Sequence, residues 1–151
     1  YVGGLGIHIA LLRDLPHGIF WVLALLASTG LNDTFAYFTG RAWGRHLMAP
    51  KISPKKTWEG FLGGVVGTAV GIGIFWSFLP DSVSAGALCG LIALAATLGP
   101  IGDLVESALK RSVGAKDSGH LIPGHGGVLD RIDALLFVSP LFYYFALWVN
   151  S

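Results

Sequence analysis

The 151-residue sequence predicts an all-α fold: a polytopic membrane helix bundle of about four full transmembrane helices plus a truncated N-terminal one, with two polar loops on the cytoplasmic side. Three observations predict it. Hydrophobic residues make up 53% of the chain and charged residues only 13%, against roughly 25% charged in a soluble domain, so lipid is the implied solvent. The apolar residues form runs that approach the ~20 needed to cross a hydrocarbon core. The charges, finally, are concentrated in two stretches, residues 40–57 and 102–133.

Taken in order, residues 1–12 (YVGGLGIHIALL) are too short to cross a bilayer and read as the tail of a truncated span, closed by the turn RDLPHG. Residues 18–31 are continuously apolar and run into NDTFAYFTG, a span that ends among polar groups. Residues 58–79 form a second span, about 33 Å long at ~1.5 Å per residue, and residues 84–101 a third. Residues 134–149 are short for a span but gain length if their helix begins near Asp130. Because the chain starts at Tyr1, already inside an apolar segment, residues 1–151 read as a fragment of a longer polytopic protein whose earlier spans are missing.

The first polar stretch holds Arg41, Arg45, Lys51, Lys55 and Lys56, and the second holds Lys110, Arg111, Lys116 and Arg131, whereas the opposite connections RDLPHG and PDSV contain only Arg13. By the positive-inside rule both long loops face the cytoplasm. The reading is an integral protein of a bacterial inner or cell membrane with its polar groups on the cytoplasmic side. Gly60, Gly63, Gly64, Gly67 and Gly71 make a small-xxx-small stripe, read as helix packing. Cys89 has no second cysteine and no charged neighbour, so it reads as a packing residue. No P-loop occurs, nothing points to nucleic acid, and a homodimer is left open.

Asp103, Glu106, Ser107 and Lys110 fall at i, i+3, i+4 and i+7, so a helix continuing from the third span carries all four on one face. A carboxylate near hydrocarbon needs a partner, a cavity or a cation; a solvated helix end is the plainer alternative. Asp130 and Asp133 share a face at the start of the last span, with Arg131 between them. Two close carboxylates repel unless a cation intervenes, and oxygen-only ligands suit magnesium. An N-cap followed by a first-turn acid is the competing explanation. Between these acidic points, SVGAKDSGHLIPGHGG contains five glycines, whose backbone N–H groups can approach phosphate oxygens closely. Lys110, Arg111 and Lys116 add positive charge there. His125 reads evenly as a phosphate donor or a structural loop residue, and His8, His17 and His46 as structural.

Residues 107–133, SALKRSVGAKDSGHLIPGHGGVLDRID, resemble the signature of the phosphatidate cytidylyltransferase family (CDP-diacylglycerol synthases), in which Ser, Lys-Arg, Lys-Asp, His-Gly-Gly and Asp-Arg-x-Asp recur at fixed spacing. The matching positions are Ser107, Lys110, Arg111, Lys116, Asp117, Gly119, Ile122, Pro123, His125, Gly126, Gly127, Asp130, Arg131 and Asp133. SPKKTWEG at residues 53–60, GDLVES at 102–107 and DTFAYFTGRAWG at 33–44 agree as well, with Trp43 where Phe is more usual.

The resemblance implies that residues 1–151 are the C-terminal catalytic membrane domain of an enzyme that transfers CMP from CTP to phosphatidate in the lipid bilayer, forming CDP-diacylglycerol and releasing pyrophosphate, with magnesium as cofactor and a second cation left open. Asp103, Asp130 and Asp133 are then expected around the metal, with Lys110 and Arg111 in the catalytic group. Ser53, Lys55, Lys56, Asp33, Lys116, Asp117, His125, Gly126, Gly127 and Arg131 are expected to bind substrates, without separation of the CTP phosphates from the lipid phosphate. Asp33, Tyr37 and Arg41, at i, i+4 and i+8, share a helical face toward the same loop. Alternatives are a cytidylyltransferase for another lipid phosphate, such as an isoprenoid-ether one, a transporter, or a non-catalytic scaffold. A transporter would place its ionisable residues mid-span beside broken helices.

Overall fold

The computed structural model describes residues 2–49, 53–80, 82–112 and 129–151, the side chains of 2, 53–55, 106–112 and 129–133 excepted. Five helices are present among the described residues: α1 (Val2–Asp14), α2 (Gly18–Trp43), α3 (Trp58–Gly73), α4 (Ala85–Ser112) and α5 (Leu129–Val149). Three stretches are long and apolar enough to cross a membrane, Gly18–Trp43, Trp58–Phe78 and Ala85–Val105, the second including a 3-10 turn at Trp76–Phe78. In α5 the apolar part is Ala134–Val149. The helix nonetheless begins at Leu129 and has 21 residues, about 31 Å at 1.5 Å per residue.

The span that runs into NDTFAYFTG extends as one helix to Trp43, so Asn32, Asp33, Tyr37 and Arg41 all sit on α2. The polar stretch that follows contains a short antiparallel ribbon, β1 (Leu47–Ala49) against β2 (Ser53–Thr57), with Leu47 opposite Thr57 and Ala49 opposite Ser53. Neither strand has the alternating apolar pattern that reveals a strand in a sequence.

The α2–α3 hairpin is the closest helix pairing, and the glycine stripe explains it. A Cβ on Gly60 would lie 2.9 Å from the Ala36 carbonyl oxygen, and one on Gly67 or Gly71 would overlap the backbone of Leu31 or of Ala27 and Ser28. Only glycine permits this approach, which here replaces the hydrophobic driving force that is missing between helices in lipid. At mid-height Asn32 Nδ2 donates to Thr68 Oγ1 at 2.9 Å, and Thr68 Oγ1 donates to the Gly64 carbonyl at 3.0 Å. Both side chains are buried, and the Asn32 amide donor and the Thr68 hydroxyl are paired within the α2–α3 contact.

Helix α5 closes the bundle between α4 and α1. Gly102 of α4 lies against the Phe137 ring, and Ser139 Oγ donates to the Leu5 carbonyl of α1 at 2.9 Å. The core gathers Leu12, Trp21, Leu25, Ile72, Leu91, Val138 and Phe142, with Trp21 edge-on to Phe142 and Phe145. At one end of the bundle lie the α1–α2 turn, the α3–α4 connection and the end of α5: His17 Nδ1 meets the Phe78 carbonyl at 3.1 Å, and Ser82 Oγ donates to Val149 O at 3.3 Å. The end of α2, the ribbon, the start of α3, the end of α4 and the start of α5 therefore share the opposite end. The described parts of both charge-rich stretches belong to that end.

Candidate active site

The polar end of the bundle is organised by Thr57. Its side-chain oxygen accepts the Gly60 backbone N–H at 3.1 Å, the N-cap bond that starts α3. The residue before it, Lys56, is carried on β2 away from α3 and reaches across to α4. Lys56 Nζ lies 2.7 Å from Asp103 Oδ2 and 3.0 Å from the Pro100 carbonyl oxygen. Side-chain exposures of 24% for Lys56 and 30% for Asp103 leave the pair half-buried, where screening is weaker than at a free surface.

This pair forms one wall of a cavity of about 320 Å³ between α2, the ribbon, α3 and α4. Asn32, Asp33, Lys56, Thr57 and Asp103 supply polar groups to it, whereas Ala36, Met48, Phe61 and Pro100 are apolar, and Tyr37 presents both characters. On α2, Arg41 Nη1 donates to Tyr37 Oη at 2.9 Å, so the Asp33–Tyr37–Arg41 face exists as spacing predicts. Asn32 and Asp33 also line a second, narrow crevice of about 10 Å³ with Thr68, Gly99 and Ala134. Ala134 directly follows Asp133, so the start of α5 adjoins the same two residues of α2.

Of the expected site residues, the structure therefore brings Asp33, Lys56 and Asp103 to one cavity. Helix α4 continues to Ser112, so the backbone of Glu106, Ser107 and Lys110 follows Asp103 on the predicted face, with Arg111 next in the helix. Asp130, Arg131 and Asp133 open α5, and Ser53 and Lys55 stand on β2; the side chains of these residues lie outside the described residues. Lys116, Asp117, His125, Gly126 and Gly127 lie outside them altogether. Sequence reasoning did not single out Asn32, Phe61 or the Pro100 carbonyl. An Asn-Asp pair inside one apolar helix, and in another a proline five residues before the end of the Ala85–Val105 span, were the available signals.

For a divalent cation the fit is chemical. Asp103 offers carboxylate oxygens, the ligand type that magnesium prefers, and already holds a positive group, the Lys56 ammonium, at 2.7 Å. No group of three or more His, Cys, Asp or Glu side chains that could hold a metal occurs among the described residues.

A model of the cytidylyltransferase family matches residues 1–149. The chain is 44% identical over 141 residues to the phosphatidate cytidylyltransferase of Haemophilus influenzae, covering 91% of this chain and 49% of that protein. It is 44% identical over 126 residues to the phosphatidate cytidylyltransferase of Thermotoga maritima, covering 80% and 47%. It is also 46% identical over 133 residues to the uncharacterized protein YnbB of Escherichia coli, covering 87% and 44%. The chain thus spans about half the length of these curated relatives. A family match that runs through all five helices and both polar stretches shows that the chain belongs to the cytidylyltransferase family.

Proposed function

We propose that this chain carries the catalytic part of a phosphatidate cytidylyltransferase, which transfers CMP from CTP to phosphatidate and releases pyrophosphate, at the cytoplasmic face of a membrane. The observation that carries the reading is the cavity at Lys56 and Asp103: a cationic and an anionic group beside apolar walls, at the polar end of membrane-crossing helices. A substrate pair of which one member is a polyanion and the other an amphiphile needs that combination. The names of the Haemophilus and Thermotoga relatives support the nucleotide and the lipid, and the lysine and arginine asymmetry supports the cytoplasmic side.

In this reading a phosphate oxygen of phosphatidate forms a bond to the α-phosphorus of CTP while the bond from that phosphorus to the β-phosphate bridge oxygen breaks. The nucleophile is already an oxyanion, so no protein side chain has to be modified. Lys56 takes a phosphate oxygen through its ammonium, and Asp103 holds that ammonium in place until a phosphate arrives. Phe61, Met48 and Ala36 exclude water beside the reacting groups and accept the apolar part of the lipid. Asp103, with Asp130 and Asp133, would hold magnesium, which supplies charge neutralisation to the triphosphate and the leaving pyrophosphate. Positioning and electrostatics supply most of the rate.

The test is to incubate membranes containing the protein with labelled CTP and diacyl phosphatidate and to extract the lipids. Labelled CDP-diacylglycerol, formed with equimolar pyrophosphate, is the expected result. Label entering an isoprenoid-ether phosphate but not phosphatidate would overturn the substrate, and label entering no lipid would overturn the activity.

A further inference from the structure

The ribbon that carries Lys56 is a small object. β1 has three residues, β2 has five, and the register slips between Leu47 and Ala49. A two-stranded ribbon of this size is marginal by itself, so its direction has to be set by what holds its base. On the β2 side the base is held through Thr57, which caps α3 and packs against Gly40 and Gly44 of the α2 end.

On the β1 side, among the described residues, the base is held by a side chain of α3. Glu59, in the first turn, takes two bonds from His46, the residue just before β1. Its Oε1 lies 2.6 Å from His46 Nδ1, and its Oε2 accepts the His46 backbone N–H at 3.3 Å. The Trp58 backbone N–H donates back to the His46 carbonyl at 3.0 Å, which completes the clamp. His46 is largely exposed, at 77% of its side chain, and such a pair adds little to overall stability. Geometry is another matter: Lys56 lies between the two ladder pairs Leu47–Thr57 and Ala49–Ser53, and its ammonium must cross from the ribbon to α4 to reach Asp103. A pivot of the ribbon about its base would carry Lys56 away from Asp103 while leaving every helix pairing intact.

We propose that Glu59 and His46 are positioning residues: their clamp sets the angle of the ribbon and thereby holds the Lys56 ammonium at Asp103, ready for a phosphate group. The inference rests on the proposed phosphate-binding role of Lys56, and neither Glu59 nor His46 touches the substrate. The competing account is that Glu59 is only a first-turn acid favoured by the helix dipole. The two accounts rank the substitutions differently. Glu59→Gln keeps the length and an oxygen that accepts from Nδ1 but loses the charge, whereas Glu59→Asp keeps the charge but is one methylene too short to reach His46.

The experiment reads Lys56 directly. The solubilised protein is treated with an amine-acylating reagent under limiting conditions, and modification of Lys56 is followed by mass spectrometry beside the phosphate dependence of turnover. Acylation of Lys56 is expected to be slow in the parent and in Glu59→Gln, and several-fold faster in Glu59→Asp, Glu59→Ala and His46→Ala. The double variant Glu59→Ala/His46→Ala should be no faster than either single one, since both break the same contact. His46→Asn, which keeps a donor near the Nδ1 position, should return toward the parent rate. A rise in KM for phosphate-bearing substrates with an unchanged melting temperature should accompany the fast variants. Unchanged Lys56 acylation in Glu59→Ala, or a Glu59→Asp variant that behaves as the parent while Glu59→Gln does not, would overturn the clamp. If the parent makes no CDP-diacylglycerol, the functional reading fails while the acylation series still decides the clamp.

Discussion

Lys56 and Asp103, 47 positions apart in the chain, form a half-buried ion pair at 2.7 Å that ties the ribbon before α3 to the later part of α4. The pair joins one residue that we propose for phosphate recognition and one that we propose for a cation. The two groups therefore compensate each other's charge, and each stands in for the charge that the other is expected to meet.

Removing one member should be worse than removing both. Lys56→Met leaves a half-buried carboxylate and Asp103→Leu a half-buried ammonium; each should lower stability by about 1–2 kcal/mol, between the exposed and fully buried limits for ion pairs. The double variant should recover part of that loss. Thermal unfolding in detergent checks the ordering, and a double variant less stable than either single variant would contradict it. Conversion of phosphatidate by Lys56→Met should fall by roughly a hundredfold, the scale for losing one charge-stabilising group.

Gly67 and Gly71 of α3 should respond in the opposite direction to Gly90 of α4. Gly67→Ala and Gly71→Ala force α2 and α3 apart and should cost about 1–3 kcal/mol each, as overpacking does. Gly90 lies in α4 with nothing within 4 Å of an added Cβ, so Gly90→Ala should be neutral or stabilising by up to about 1 kcal/mol through helix propensity. Melting temperatures of the three variants settle the matter, and equal effects at Gly71 and Gly90 would argue against close α2–α3 packing.

Magnesium dependence tests the proposed carboxylate set. Chelation should abolish lipid labelling from CTP and excess magnesium should restore it. Asp103→Asn, Asp130→Asn and Asp133→Asn should each lower turnover by about a hundredfold or more, because each removes a charge from the proposed cation site. Intact CTP-dependent conversion by Asp130→Asn would refute the cation assignment for that residue.

Much of the bundle was legible from local pattern. Residues 58–79 read as a span because their apolar run has the length of a hydrocarbon core, and the glycine stripe within it read as a packing face because small residues recur every four positions. The Asp33–Tyr37–Arg41 face was legible for the same reason, since a helical period is a local property. The ribbon at Leu47–Ala49 and Ser53–Thr57 was not, because β1 is only three apolar residues, β2 is polar, and neither alternates. His46 was read as structural, and nothing in its neighbourhood in sequence pointed to Glu59, thirteen positions later, as its partner.

By itself, then, the sequence determined the solvent, the helices and the residue types at the polar end, because hydropathy, period and spacing are expressed over a few turns of one segment. The tertiary structure alone decided that Lys56 faces Asp103, that Asn32 pairs with Thr68, and that Asp33 shares a cavity with Phe61. Those relations depend on the register at which α3 slides onto α2 and on the angle at which the ribbon leaves α3. Both are set by backbone contacts at glycines and by the cap and clamp at Thr57 and Glu59.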